Sequence, residues 1–446
     1  MKKEVKSEFL KLYEDLKKTK DSKAFSLLVD ALYVFYRDIW VKCSEDFADL
    51  QFPVYKKVEK KRNEKKVDDF LNKILIGLKS VNNRNDYLAR DKFKNTFFDY
   101  FNNSNFFKDP ISCNYPYDFI SSTNDFIKKT QKFDPTVTSA DIFQALRNVW
   151  TMNLLQTIFA MDIKLTYPIF SYSILYPYTD NLLDSTHASY LEKKERSNRL
   201  MDRLKGNKLI PHDFYEEKVF RLVEIIEECY PRRYYYCLYQ SLQAINSSQV
   251  DSLKQFDKKN NRTMEEIIKI SFKKGGLSVL TDAYLIKGTL SLDEIIGAFG
   301  LGIALQLIDD LQDVKQDKRS GNSTIFTFSQ SDHSLMDATV KLLNFIKCII
   351  DLLPTEKSPY KEKIEKVLSI NCYLLIFFSI SRLSTGYTRS FSDKIAVYSP
   401  FSPTYMKNFN SKLNSKWSSI KKLKNISAAK IFAILLEDGS SKVCSL

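Results

Sequence analysis

The stretch Phe299–Asp313, FGLGIALQLIDDLQD, carries Gln306, Asp309, Asp310 and Asp313 in an otherwise apolar run. The spacing 306, 309/310, 313 follows i, i+3/i+4, i+7, so on a helix these side chains share one stripe. Burying several carboxylates without a partner is costly, and something cationic must face them. A hard cation such as Mg²⁺ suits such a row, since it takes oxygen ligands, keeps waters and bridges to phosphate. The competing reading is the solvated end of an exposed helix, against which stand the ten nearly all-apolar residues before the acids.

A second acidic group lies at Tyr176–Asp184, YPYTDNLLD, where Asp180 and Asp184 are four apart and share a helical face, with Asn181 beside them. A DxxxD pair alone is common on solvated helices. Two such stripes on apolar helices far apart in sequence suggest facing walls of a bundle, which is how helical bundles build metal sites.

These segments need long helices to position them, and the composition supplies them. The 446 residues are 44% hydrophobic, with 32 Phe and 25 Tyr but only 11 Gly and 12 Pro, too few turn-formers for a many-stranded sheet. An all-α fold is expected. The pattern predicts several helices over residues 1–100, a loop at Asn102–Tyr117 and a soft boundary between about 105 and 138. Helices follow at Ile142–Ile163, Ile169–Leu191 (bent at Pro177) and Phe214–Tyr230, then a polar connection at Ser247–Arg262. Met264–Gly288 reads as a helix interrupted at Gly275–Gly276. Leu292–Lys315 is the central helix, a basic loop follows at Gln316–Ser323, and Leu335–Leu353 and Lys361–Leu383 complete the set. The organisation is thus residues 1–138 as an N-terminal helical extension, 139–400 as the bundle and 401–446 as a tail and candidate cap.

The seven cysteines form no CxxC pair and their number is odd, which suggests reduced thiols in a cytoplasmic setting, without a zinc site or a disulfide framework. The N-terminus is a charged amphipathic pattern without a signal-peptide core, and VCSL at the end is no prenylation box. The longest apolar run, Val367–Ile380, is broken by Ser and Asn and reads as too short to span a bilayer. The net charge of +14 invites a nucleic-acid partner, but the densest basic run, Lys56–Lys66, is interleaved with Glu59 and Glu64 and accompanies no nucleic-acid motif. No nucleic-acid partner is expected, and the charge suits a diphosphate substrate.

FGLGIALQLIDDLQD resembles the second aspartate-rich motif of the trans-isoprenyl diphosphate synthases, GxxFQxxDDxxD. Gly302, Gln306, Asp309, Asp310 and Asp313 match, and Leu305 replaces the Phe. DNLLD is similar to the first motif, DDxxD, with Asn181 at its second position. KKGGLSVLTDAYLIKG resembles the KTGxL helix, with Lys273 at its Lys and Lys274 at its Thr, and DKRSGNST at 317–324 is similar to the loop that follows the second motif. The likeness spans roughly residues 140–400 and implies a class I isoprenoid-synthase helical bundle around a central cavity, with extra N-terminal helices.

Two departures matter. Nothing between Ile142 and Asp180 resembles the GGKRxRP element that holds isopentenyl diphosphate, and the Arg-Arg after DDxxD is absent, with Lys193, Lys194, Arg196 and Arg199 as looser substitutes. A second diphosphate site is therefore not expected, which moves the expectation from prenyl coupling toward a class I terpene synthase, a carbon–oxygen lyase that ionises one allylic prenyl diphosphate. The alternatives are a prenyltransferase that adds isopentenyl diphosphate and a non-catalytic helical partner of an active synthase.

The resemblance implies Asp180, Asp184, Asp309 and Asp313 as catalytic metal ligands, Asp310 as a further one, and two or three Mg²⁺ ions. It implies substrate contacts from Lys273 first, Lys274 as its alternative, Arg262, Arg319 and Gln306, and allows a homodimer. Tyr176, one turn before Asp180, would floor the chain pocket, with Tyr172 a turn deeper; plain core packing is the competing reading for both. The tail from Gly386 to Tyr405, with Arg389, Tyr398 and Pro400, is a candidate closure over the mouth.

Overall fold

A computed structural model gives the structure, described over residues 3–47, 52–80, 115–184, 189–256, 262–328, 332–356, 358–383 and 386–424. Among these residues every regular element is helical and there is no strand, as the scarcity of turn-formers requires. The N-terminal helices are α1 (Lys3–Thr19), α2 (Ser22–Lys42) and α3 (Lys57–Ser80). Then come α4 (Tyr115–Phe133), α5 (Ser139–Ile158), α6 (Tyr167–Asp184), α7 (Tyr190–Leu204), α8 (Phe214–Cys229) and α9 (Tyr236–Ser252). The chain ends with α10 (Met264–Lys287), α11 (Leu292–Gln312), α12 (Val314–Ser320), α13 (Asp332–Ile350), α14 (Lys361–Arg382), α15 (Arg389–Tyr398) and α16 (Pro403–Lys424).

The hairpin α10–α11 is the centre. Each helix opens with a capping box, Thr263 with Glu266 and Ser291 with Glu294, which satisfies backbone donors that would otherwise be orphaned. Gly288, at φ +75°, stops α10 in a conformation that a side chain would strain. Where the two helices cross, Gly275 faces Gly302. A Cβ on Gly302 would lie 2.1 Å from the Gly275 carbonyl oxygen, and one on Gly276 would lie 2.6 Å from the Phe299 ring. The expected interruption at Gly275–Gly276 is therefore absent: α10 runs unbroken, and its glycines let another helix approach.

The other helices pack around this hairpin. Helix α9 and, less extensively, α5 and α6 lie on α10, while α13 and α14 lie on α11. Helix α2 sits across both sides: Tyr36, fully buried, donates to the Ile296 carbonyl at 2.7 Å and stacks on Phe299, and Trp40 meets Phe272 and Phe345 edge-on. The first two helices thus contribute to the same core as the bundle. Helix α3 joins α16 through Tyr405 to Asp68 (3.0 Å), and the Asn63 amide donates to Pro400 O (3.1 Å).

Several boundaries differ from expectation. The polar connection at Ser247–Arg262 begins inside α9, whose polar side chains are satisfied locally: Ser241 and Ser252 donate to the carbonyls of Leu238 and Gln249 at 2.8 and 2.7 Å. Ile169–Leu191 ends at Asp184 and resumes at Tyr190 as α7, N-capped by Ser189. Helix α6 continues through Pro177. The central helix stops at Asp313, where the short α12 takes over. The tail is helical as α15 and α16, and its Tyr398 packs against Phe47 and Phe52. Most of the loop expected at Asn102–Tyr117 lies outside the described residues, and α4 begins at Tyr115. Helix α14, at 22 residues, is long and apolar enough to cross a membrane by length and composition alone. Its Leu368, Cys372, Ile376, Phe377 and Ile380 are buried against the bundle.

Candidate functional site

The close crossing at Gly275–Gly302 decides which side chains meet. One turn beyond Gly302, Gln306 donates its amide to Asp310 Oδ1 at 2.8 Å, and Ser271 on α10 donates to Asp310 Oδ2 at 3.2 Å. Asp310 is buried, and burial pushes its carboxyl up to about 7. The Gln306 hydrogen bond and the Lys274 charge pull it down, while the charges of Asp309 and Asp317 push it further up. Among the acids of α11, Asp310 thus faces inward and braces α11 on α10.

Asp309 faces the other way. Its Oδ1 accepts from Arg147 Nη2 of α5 at 2.8 Å. The Arg147 side chain is exposed and that of Asp309 half-buried, so the pair is partly screened by solvent and contributes modestly to stability. Asp313, the C-cap of α11, has its carboxyl raised first by burial and then by Asp309, with Arg147 and Arg382 opposing. Asp317, four residues on, is likewise raised by burial and by Asp313 and Asp309, with Asn322 and Lys274 opposing. Asn322 donates to Asp317 Oδ1 at 3.0 Å across the turn at Gly321 (φ +76°). The acids therefore form a row, 309–313–317, whose members repel one another. Cations from three helices face it: Arg147 (α5), Lys274 (α10) and Arg382 (α14).

The expected cations sort by helix rotation. Lys273 is committed to Asp30 of α2 at 2.5 Å, whereas Lys274, the second choice, is the one turned to the acids. Arg262 lies before the α10 cap with its Nε buried and unpartnered, and Arg319 is exposed on α12 without a hydrogen bond or ion pair among the described residues. Neither is brought to the row. Arg196 pairs with Asp213 at 2.8 Å, and Arg199 is bidentate on the buried Glu216 at 2.7 and 2.8 Å, so two of the four expected substitutes are taken up by structural pairs.

Asp180 and Asp184 occupy the last turns of α6, but their side chains lie outside the described residues. Between them, Asn181 donates to Asp141 Oδ1 of α5 at 2.7 Å. Asp141 and Arg147 are six residues apart on α5, about 9 Å of helix rise. One helix therefore ties down the end of α6 and also pairs with the acidic row. Tyr176 lies near Arg147 and Tyr172.

Four residues with a place here were not singled out from sequence, Asp317 among them, which was read only as part of the loop after the acidic motif. Arg147 is the sole Lys or Arg on α5, and that isolation was a usable signal. Arg382 gave none beyond its place at the end of an apolar helix. Asp282 is 1% exposed on α10, with both carboxyl oxygens unpartnered.

Among the described residues, no three His, Cys, Asp or Glu side chains close into a metal-holding group. Mg²⁺ needs no such cage: one or two carboxylates with water and phosphate oxygens suffice. The mutual repulsion along 309–313–317 fits a dication, because added positive charge there favours the ionised acids. No family model, no curated protein and no solved structure matches the chain.

Proposed function

We propose that the chain is a Mg²⁺-dependent class I terpene synthase that ionises an allylic prenyl diphosphate, releasing diphosphate and a terpene. The observation that supports this most is the row Asp309–Asp313–Asp317 at the end of an apolar hairpin, with Arg147 and Lys274 turned toward it. A partly exposed acidic row beside cations that can change partners suits a ligand that brings both metal and phosphate.

In this reading Asp309, Asp313 and Asp317 hold the metal, with Asp180 and Asp184 on the facing wall. Mg²⁺, when bound, supplies positive charge to the leaving phosphate oxygens. Arg147 leaves Asp309 for the diphosphate, a modest change because its present pair is partly screened by solvent. Lys274 adds a fixed charge from the other side. Asp310 stays in the hydrogen bonds of Gln306 and Ser271 and keeps α11 seated on α10. Tyr172, buried on α6, and Tyr176 supply aromatic faces on the apolar side, where water must be kept from a carbocation.

The test is product analysis by mass spectrometry. Purified protein is given farnesyl or geranylgeranyl diphosphate with Mg²⁺, each with and without isopentenyl diphosphate. A hydrocarbon or alcohol formed without the co-substrate is the expected outcome. Chain elongation that needs the co-substrate would make the chain a prenyltransferase, and no turnover under any condition would favour a non-catalytic partner role.

A further inference from the structure

Asp282 has no part in the acidic row, yet it is the most completely enclosed carboxyl described. It is 1% exposed, and neither oxygen has a hydrogen-bond partner. Its neighbours on α5 and α6 are Asn148, which favours the ionised form without closing a hydrogen bond of normal geometry, and Tyr172. No charged side chain among the described residues acts on it, so burial drives its carboxyl well above the ordinary range and it rests neutral. Thr281 and Ser171, both fully buried, also carry unpartnered hydroxyls.

A buried carboxylic acid whose O–H donor and acceptor oxygens all lack partners is a standing loss of stability, and an apolar residue would pack there without it. Such groups are kept where a ligand uses them. The ligand's charge follows from the surroundings. An anion would meet an acid with no cation to offset it, whereas a cation would gain a carboxylate and a tyrosine face together.

We propose that the bundle interior at Asp282 is a binding site for an organic cation, whose positive centre lies against this carboxyl with Tyr172 alongside. Asp282 lies eight residues from Lys274 on α10, about 12 Å along the helix and about 80° around it. Resting on the terpene-synthase reading, the site is where positive charge is held at the far end of the prenyl chain, well away from the ionised carbon near the diphosphate. On binding, the Asp282 O–H bond breaks, the proton passes to the buffer and the carboxylate remains opposite the cation.

The test is calorimetry with a farnesyl-trimethylammonium probe and its uncharged tert-butyl isostere, using the full-length wild type, Asp282→Asn and Asp282→Leu. Repeating each titration in two buffers of different ionisation enthalpy counts the protons released. The wild type should bind the ammonium probe at least ten-fold more tightly than the isostere and release about one proton per probe. Both variants should melt at a higher temperature than the wild type, bind the two probes alike and release no proton. Equal preference for the two probes in the wild type, failure to bind the ammonium probe, or undiminished preference in Asp282→Leu would each overturn the site. Charge-selective binding by a wild type that turns over no prenyl diphosphate would keep the site and remove the terpene-synthase reading. Turnover with products unchanged in both variants would do the reverse.

Discussion

Gly302→Ala separates a close helix crossing from an ordinary mid-helix glycine by the sign of its effect. On a solvated helix the substitution stabilises by about 0.5–1 kcal/mol, since alanine loses less backbone freedom on folding. In this protein the new Cβ would stand 2.1 Å from the Gly275 carbonyl oxygen, 2.8 Å from its carbonyl carbon and 3.1 Å from Gly276 Cα. These are backbone atoms that cannot rotate away, so α10 and α11 must separate by about an ångström. Overpacking of this kind costs typically ~1–3 kcal/mol. Subtracting the propensity gain from the upper part of that range leaves a net loss of about 2 kcal/mol. The same separation stretches the Ser271–Asp310 contact, now 3.2 Å, beyond hydrogen-bond length. Urea denaturation of wild type and variant reads the difference directly. A variant as stable as the wild type, or more stable, would refute the close crossing and with it the reason that Gln306, Asp310 and Lys274 meet.

Three further outcomes follow from the same geometry. Asp310→Asn, measured by denaturation in EDTA, should gain stability over the wild type as pH rises. The folded acid keeps its proton up to about 7 while the unfolded one releases it near 3.8, so wild-type stability falls between those values, by about 4 kcal/mol in all, and the asparagine does not titrate. Lys274→Met should raise the KM for a prenyl diphosphate by roughly ten- to a hundred-fold, the worth of one charge-assisted contact, whereas Lys273→Met should leave KM unchanged and shift stability by under about 1 kcal/mol. Glu216, buried and held below the usual carboxylate range chiefly by Arg199, should stabilise the fold fully above its ordinary 4.5 and lose that contribution progressively as pH falls from there through its lower folded value; Glu216→Gln should flatten that acid limb of the stability curve.

Much of the fold was legible because helical period and the lack of turn-formers are local properties. The acids of α11 were legible for the same reason, but not their division: Asp310, expected on one stripe with Asp309 and Asp313, turns inward to Gln306 and Ser271, and Asp317 of α12 extends the row instead. What sequence could not give was rotation and partner. Lys273 and Lys274 differ by one residue, about 100° around α10, and only the packing of α2 shows that the first goes to Asp30. Gly275–Gly276 looked like a break because a glycine pair lowers helix propensity, and the compensation comes from Phe299 and Gly302 on another helix. Helix α9 was partly read as a connection because Ser and Asp favour turns and caps, and the hydroxyl bond of Ser252 back to the helix is seen only in place. Tyr36 and Trp40 show a helical period but do not announce that they pack under the central hairpin. Asp282 is a single acid among Thr, Ala and Leu, and nothing in its neighbours' types reveals that its oxygens lack partners.

The central claim is that the row Asp309–Asp313–Asp317 supports metal-dependent cleavage of an allylic diphosphate. The most direct measurement is the release of inorganic pyrophosphate from farnesyl and geranylgeranyl diphosphates, without isopentenyl diphosphate, by wild type and Asp309→Asn with Mg²⁺ or EDTA. Release by the wild type with Mg²⁺, abolished by EDTA and reduced at least a hundred-fold in Asp309→Asn, is the expected result. Release that persists in EDTA, or is unchanged in Asp309→Asn, would contradict it.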